Sequence, residues 1–313
     1  MNGRRRIVRV PASSANLGPG YDVLGAALEL ELELEVSEEG SFSVDPGGLP
    51  VSTGRDNLIV RAFERLHPAD DIAFALAGNI PLGRGLGSSA AAIVAGLLAA
   101  DHLYELGHSR ESIFRLATEI EGHPDNVAAA LFGGIAVCGP AGVLAKESPP
   151  DPIELGSGIE SRSDASMPAL LTPPEGVEAI LVISGEAIST EAARAAMPGE
   201  VPLADAVHNV GAAAQLVLGI ERSDLTLIER GLADRVHQPY RSGLYPRSME
   251  IVEAAPALGA IGATISGAGP TVLVWSFWQS GAKISAGLKP LCRDWAEVRR
   301  VPFSARGARV EIP

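Results

Sequence analysis

Residues 81–91 read PLGRGLGSSAA, and this glycine-rich turn empties into the apolar run AAAIVAGLLAA. Gly83, Gly85 and Gly87 allow backbone angles and close approaches that a Cβ would forbid. The segment before the turn, IAFALAGNIPL, reads as a strand, and the run after it as a mostly buried helix over residues 88–106. A helix that starts at Ser88 or Ser89 aims unpaired N–H groups and the positive end of its dipole at the turn. The dipole contributes about 0.3–1 kcal/mol, whereas each hydrogen bond to a charged group contributes roughly 1.5–3 kcal/mol. Backbone amides therefore dominate any anion site built here.

Two familiar nucleotide motifs fail letter by letter. A P-loop needs a lysine after its last glycine, and none follows Gly87; a Rossmann turn needs a third glycine where Ser88 stands. Only three lysines occur in the chain, Lys146, Lys283 and Lys289, none of them in a glycine-rich motif. On the residues alone two readings stand, a lysine-free phosphate cradle and an ordinary strand-to-helix turn with the serines as N-caps.

At 313 residues, 46% of them hydrophobic, the chain can fill the cores of two domains. A net charge of −13, with no basic stripe beyond Arg4–Arg6, argues against nucleic acid or an anionic membrane as partner. That arginine run reads as a solvated start to the first strand. Cys138 and Cys292 lack the spacing of a zinc site or a disulfide framework, which suits a reducing cytoplasm. No apolar signal core follows the N-terminal charges. The apolar run after Ser89 stops at Asp101, short of the roughly 20 residues that span a bilayer. The expectation is a soluble, cytoplasmic protein.

Leu28 to Val36 alternates strictly, with Glu29, Glu31, Glu33 and Glu35 on one side, the mark of a half-buried strand with a solvated face. LIVRAFERL reads as a helix, SRESIFRLATEIEG as a helix capped by Ser109 and ended near Gly122, and HPDNVAAALFGGIAVCG as a turn, a short helix and a strand. Residues 145–176 are dense in Pro, Ser, Gly and Asp and read as a linker or surface insertion. Beyond them come a strand (VEAILVIS), a capped helix (ISTEAARAAM), two further helices, and two strands around a tight SGAG turn. Strands and helices mix without a βαβ rhythm, so the fold class is α+β in two layers.

PASSANLGPGYD (11–22), EGHPDN (121–126), STEAAR (189–194) and SGAGPT (266–271), in order with PLGRGLGSSAA, resemble the homoserine kinase family of the GHMP kinase superfamily over roughly residues 7–275. The charged G-E-H opening of galactokinase and mevalonate kinase is lacking. The resemblance implies a two-domain GHMP kinase fold, with an N-terminal ribosomal protein S5 domain 2-like unit (1–165) and a C-terminal ferredoxin-like α+β sandwich (166–313). It also implies ATP and Mg²⁺ as cofactors, L-homoserine as the phosphorylated small molecule, no nucleic-acid or membrane partner, and a homodimer. The rivals are a superfamily relative acting on another small alcohol and a silent nucleotide-binding regulator.

The site residues follow from the same resemblance. Pro81, Leu82, Gly83, Arg84, Gly85, Leu86, Gly87, Ser88, Ser89, Ala90 and Ala91 would hold the triphosphate, and Asn57 the adenine. Ser89 and Glu121 would hold the metal, with Glu119, two residues earlier on another face, as the rival carboxylate. Asn16 and Asp22 would hold the amino-acid end of the substrate, Asp22 meeting its ammonium. Arg194 and Arg241 would bind its carboxylate or screen the γ-phosphate. His123, Asn126, Thr190 and Gly267 would line the same pocket. Asn126 and Arg194 are the expected catalytic residues, polarising the attacking hydroxyl with no base, and Asp125 is the rival base.

Overall fold

Strand β1 (Arg5–Ala15) runs antiparallel to β2 (Leu24–Glu38) in the computed structural model, which describes residues 3–139 and 167–313. The alternating leucines and Val36 of β2 are buried, and its glutamates face outward. That face is not merely solvated. Arg5 donates to Glu35 at 2.6 Å, Arg9 to Glu33 at 2.7 Å and Arg309 to Glu31 at 2.6 Å. Water screens such exposed pairs, so they fix register more than stability. The arginine run divides likewise: Arg4 pairs with Glu38, while Arg6 is buried and donates to His102 O at 3.1 Å.

The register of the hairpin slips between Pro11, opposite Glu31, and Ala12, opposite Leu28. Proline has no N–H for the ladder, and the resulting bulge lets the polar end of β1, Ser13 and Ser14, continue as strand into the interior. The first strand is therefore longer than its apolar residues suggest.

The sheet is extended by β3 (Ser43–Asp45) and β4 (Ile72–Gly78), with helix α1 (Leu58–Phe63) between them. Helix α2 (Ser88–Tyr104) is apolar all round because it is covered on nearly every side, packing on β1, β2, α1 and α3 (Arg110–Glu121). Ser109 Oγ accepts from Ser112 N at 3.1 Å to start α3, and Gly122, with φ of 88°, ends it as read. Helix α4 (Asp125–Phe132) leads into β5 (Ile135–Val137), which pairs with β2.

Of the stretch 145–176, residues 145–166 lie outside the described ones. The remainder is not all loop, because Ala169–Leu171 forms β6 on β5, three apolar residues that the flanking prolines hid. Next come β7 (Val177–Ser184), α5 (Thr190–Ala195), α6 (Leu203–Arg222), α7 (Leu225–Gly231), α8 (Gln238–Arg241), α9 (Pro246–Ala254), β8 (Gly262–Ile265), β9 (Val272–Phe277), α10 (Gly281–Cys292), β10 (Ala296–Val301) and β11 (Arg309–Glu311).

The second sheet is antiparallel in the order β10-β7-β9-β8, the arrangement of a ferredoxin-like unit. The two-layer α+β fold expected from the sequence is the one found. Strand membership is nevertheless distributed across the expected 165/166 boundary, since β6 and β11 belong to the first sheet. Trp275 on β9 meets Phe303 with ring centroids 5.0 Å apart, in one apolar cluster with β1, β2 and α2.

Candidate active site

Two glycines of the 81–91 turn are dictated by what surrounds them. Gly85 has φ of 75° and Gly87 has φ of 65°. A Cβ at 85 would stand 2.2 Å from Ser266 O, and one at 87 would stand 1.9 Å from Ser13 Oγ. The turn is thus clamped between the end of β1 and the SGAG turn. Leu86 O accepts from Ser13 N at 3.2 Å, and Gly85 O accepts from Ser266 Oγ at 2.6 Å. Helix α2 starts at Gly87 with no side-chain cap, so the serines are not its N-caps and its first-turn amides are left for a ligand.

A cavity of about 280 Å³ opens on this turn. Gly83, Gly85, Leu86, Gly87, Ser88 and Ser89 line it. Arg84 turns away, donating to Ser184 O at 2.8 Å and Gly185 O at 2.6 Å, which ties the turn to β7. Ala90 and Ala91 are buried inside α2, and Pro81 borders neither this cavity nor the next. A second, apolar cavity of about 300 Å³ shares Ser88 and Ser89 and is walled by Leu32, Val51, Ile59, Leu76 and Leu82. Asn57 lies on it, but its amide is engaged at both ends: Oδ1 caps α1 at Ile59 N (2.9 Å) and Nδ2 donates to Ser52 O (2.7 Å). Asn57 shapes this wall.

The EGHPDN segment joins the end of α3 to the start of α4, and both ends reach the first cavity. Ser89 Oγ donates to Glu121 Oε1 at 2.5 Å. Glu119, by contrast, is exposed beside Arg65. Burial pushes the Glu121 carboxyl above its ordinary value, against the Ser89 hydrogen bond and the nearby His123. His123 Nδ1 donates to Asp125 Oδ1 at 2.7 Å, and its Nε2 is 3.7 Å from Glu121. Burial opposes a proton on His123, but the Asp125 bond and the charges of Asp125 and Glu121 together hold it above the usual range.

A hydroxyl and a buried carboxylate fit Mg²⁺, which takes one or two protein oxygens and completes its shell with water and phosphate. Among the described residues no cluster of three or more His, Cys, Asp or Glu could hold a metal without such help. Asn126 Oδ1 accepts from Ser13 Oγ at 2.8 Å, which leaves Nδ2 to donate into the cavity.

The opposite wall comes from the β1–β2 turn, α5, α8 and the SGAG turn. Asn16 is buried and serves the backbone: Nδ2 donates to Gly267 O at 2.9 Å, and Oδ1 accepts from Asp22 N at 3.0 Å. Arg194 forms a bidentate pair with Asp22, at 2.9 and 2.8 Å. Arg241, 2% exposed, donates to Ala193 O at 2.9 Å. Thr190 opens α5 at the cavity edge, and Gly267 lines the wall. The sequence reading missed Tyr21, whose hydroxyl accepts from both Arg194 and Arg241 at 3.2 Å, and Ser13; both lie inside PASSANLGPGYD.

The glycine-rich turn thus faces two arginines across one cleft. The GHMP kinases N terminal domain matches residues 57–134 and the GHMP kinases C terminal domain residues 216–293. The fold aligns with L. major mevalonate kinase (TM-score 0.67, 16% identity, 96% of this chain and 94% of that one), and the two domain matches give the chain the build of a GHMP kinase. It is 34% identical to a homoserine kinase of Prochlorococcus marinus, over 96% of this chain and 93% of that protein. It is 38% identical to that of Thermus thermophilus over 84% of each. The homoserine kinase structure from Cytophaga hutchinsonii superposes with a TM-score of 0.81 at 26% identity, covering 98% of both chains. The chain belongs to the homoserine kinase family.

Proposed function

We propose that this chain transfers the γ-phosphoryl group of ATP to the side-chain hydroxyl of L-homoserine, giving O-phospho-L-homoserine for threonine biosynthesis. The observation that carries this reading is one cavity in which the Gly83–Ser89 turn and Glu121 face Asp22, Arg194 and Arg241. The turn's amides hold the triphosphate, the adenine lies in the apolar cavity beside Asn57, and Ser89 and Glu121 hold Mg²⁺. When bound, the cation offsets the negative charge of the phosphates. Asp22 takes the substrate ammonium, while Arg194 and Arg241 take its carboxylate.

Phosphoryl transfer asks mainly for positioning and charge stabilisation. Asn126 Nδ2 donates to the attacking oxygen and cannot accept its proton, so the hydroxyl attacks directly and its proton leaves late, to the γ-phosphate. Arg194 adds positive charge beside that path. His123 and Thr190 border the same space.

We also read the protein as a cytoplasmic homodimer of two-domain chains, a state that sedimentation measures directly. The function is tested by ADP release with L-homoserine, L-threonine, mevalonate and galactose in turn. L-Homoserine must exceed the others by at least about tenfold in kcat/KM, a difference of about 1.4 kcal/mol in transition-state binding. Comparable turnover of mevalonate or galactose overturns the reading.

A further inference from the structure

Asp22 and Arg194 carry the charges that suit the two ends of an amino acid, yet they hold each other. Arg194 Nη1 donates to Asp22 Oδ2 at 2.9 Å and Nη2 to Oδ1 at 2.8 Å, a fork-to-fork pair from the β1–β2 turn to α5. Their side chains are 40% and 28% exposed, so water screens the pair and places it among the weaker ion pairs. The backbone of Asp22 is fixed, because Asn16 Oδ1 accepts its N–H and Asn16 Nδ2 donates to Gly267 O. Opening the pair is therefore a matter of side-chain rotation.

Tyr21 supplies the pivot. Its hydroxyl accepts from Arg194 Nη1 and from Arg241 Nη2, both at 3.2 Å. The two guanidinium carbons stand 5.8 and 5.0 Å from its ring centroid, within cation–π range. Arg241 is itself anchored to Ala193 O. When Asp22 lets go, Arg194 stays beside Arg241.

We propose that the Asp22–Arg194 pair is an internal stand-in for the substrate's carboxylate and ammonium, and that opening it selects amino acids against hydroxy acids. This inference rests on the reading of the cavity as an L-homoserine site. A ligand with both charges replaces both halves of the pair: its carboxylate takes the two Nη positions, its ammonium takes the released Asp22, and no charge is left unpaired. A ligand with a carboxylate alone must evict Asp22 and then share one guanidinium with it, two like charges at close quarters. A ligand with an ammonium alone meets the outer lone pairs of Asp22 without opening anything. The discrimination thus falls on molecules that lack only the amino group.

The probe is 4-hydroxybutanoate, which is L-homoserine without its amino group, titrated calorimetrically into wild type and Asp22→Asn with a non-hydrolysable ATP analogue present. Asn keeps the φ of 56° at position 22 better than other residues with a Cβ. The expected result is about three- to fivefold tighter binding of 4-hydroxybutanoate to Asp22→Asn, the loss of one exposed pair, together with at least about tenfold weaker binding of L-homoserine.

If 4-hydroxybutanoate binds the variant no tighter than wild type, the stand-in is wrong. Asp22→Ser is read the same way should Asp22→Asn melt early. Turnover of L-homoserine by wild type is measured first: its absence removes the function reading, whereas turnover with unchanged 4-hydroxybutanoate affinity removes only this inference. The pivot has its own readout. Tyr21→Phe raises KM for L-homoserine about three- to tenfold with kcat unaltered, and an unchanged KM removes Tyr21 from the device.

Discussion

Ser13 Oγ donates to Asn126 Oδ1 across 2.8 Å, and that bond decides which end of the Asn126 amide meets a ligand. With Oδ1 occupied, Nδ2 faces the cavity as a donor. Ser13→Ala frees the amide to rotate and removes a hydrogen bond whose net contribution is about 0.5–1.5 kcal/mol. A loss of about tenfold in kcat is expected, with KM for ATP little altered. Steady-state kinetics at saturating L-homoserine check it, and an unchanged kcat would sink the proposed orientation.

Base-free attack separates Asp125 from Asn126. Asp125, 1% exposed, is occupied on Oδ1 by His123 Nδ1 at 2.7 Å and by Asn126 N at 2.8 Å, so its visible work is to position its neighbours. A general base contributes about 10²–10⁴-fold. Asp125→Asn is therefore expected to lower kcat by less than about 10²-fold, and Asn126→Ala by more than Asp125→Asn does. Abolished turnover in Asp125→Asn with intact L-homoserine affinity would make Asp125 the base.

The clamp on the 81–91 turn predicts unequal glycines. At Gly83 a Cβ would meet only the Ala187 Cβ at 3.4 Å, ordinary contact, leaving the left-handed φ of 65° as the cost, about 1–2 kcal/mol. At Gly87 the same φ is joined by a 1.9 Å clash with Ser13 Oγ. Gly83→Ala should melt a few degrees low and keep its affinity for ATP. Gly87→Ala should lose at least about tenfold in ATP affinity, or about 1.4 kcal/mol. Differential scanning fluorimetry with and without ATP distinguishes them, and equal behaviour would contradict the clamp.

How far the sequence carried the fold depended on whether a signal was local. The β2 alternation, the Ser109 cap and the Gly122 stop each sit within one element, and each was readable. The polar half of β1 was not, because Ser13 and Ser14 become strand through long-range pairing with Ala27 and Ala26. Strand β11 was missed for a similar reason: three residues pair with β1 some 300 positions away. At the site, motif order brought together Glu121, Asn126, Asp22 and Arg194. It could not reveal that Asn16 would serve the backbone, that Arg84 would turn to β7, or that Asp22 would find Arg194 before any ligand. Those outcomes depend on which partners the fold supplies.

His237 gives the protein a pH dependence of definite sign. It is fully buried; Nε2 donates to Gly18 O at 2.7 Å, and Nδ1 has no partner among the described residues. Burial holds its proton affinity below the ordinary value, with the attraction of Asp234 too small to compensate. Above about pH 6.5 the residue is neutral folded or unfolded and has no effect. As pH falls below that value the unfolded chain takes up a proton that the native state refuses, and stability declines by up to about 1.4 kcal/mol per pH unit. Asp234, whose carboxyl is held low despite burial by His237 and by bonds from Asn209 and nearby amides, acts only near and below about pH 4. His123, held high, works in the opposite sense and above about pH 6.5, where its stabilisation is lost as pH rises, and it is common to both proteins compared. Urea midpoints at pH 7.5 and 5.5 should therefore fall less in His237→Gln than in wild type, and an equal fall would show that His237 is protonated in the native state.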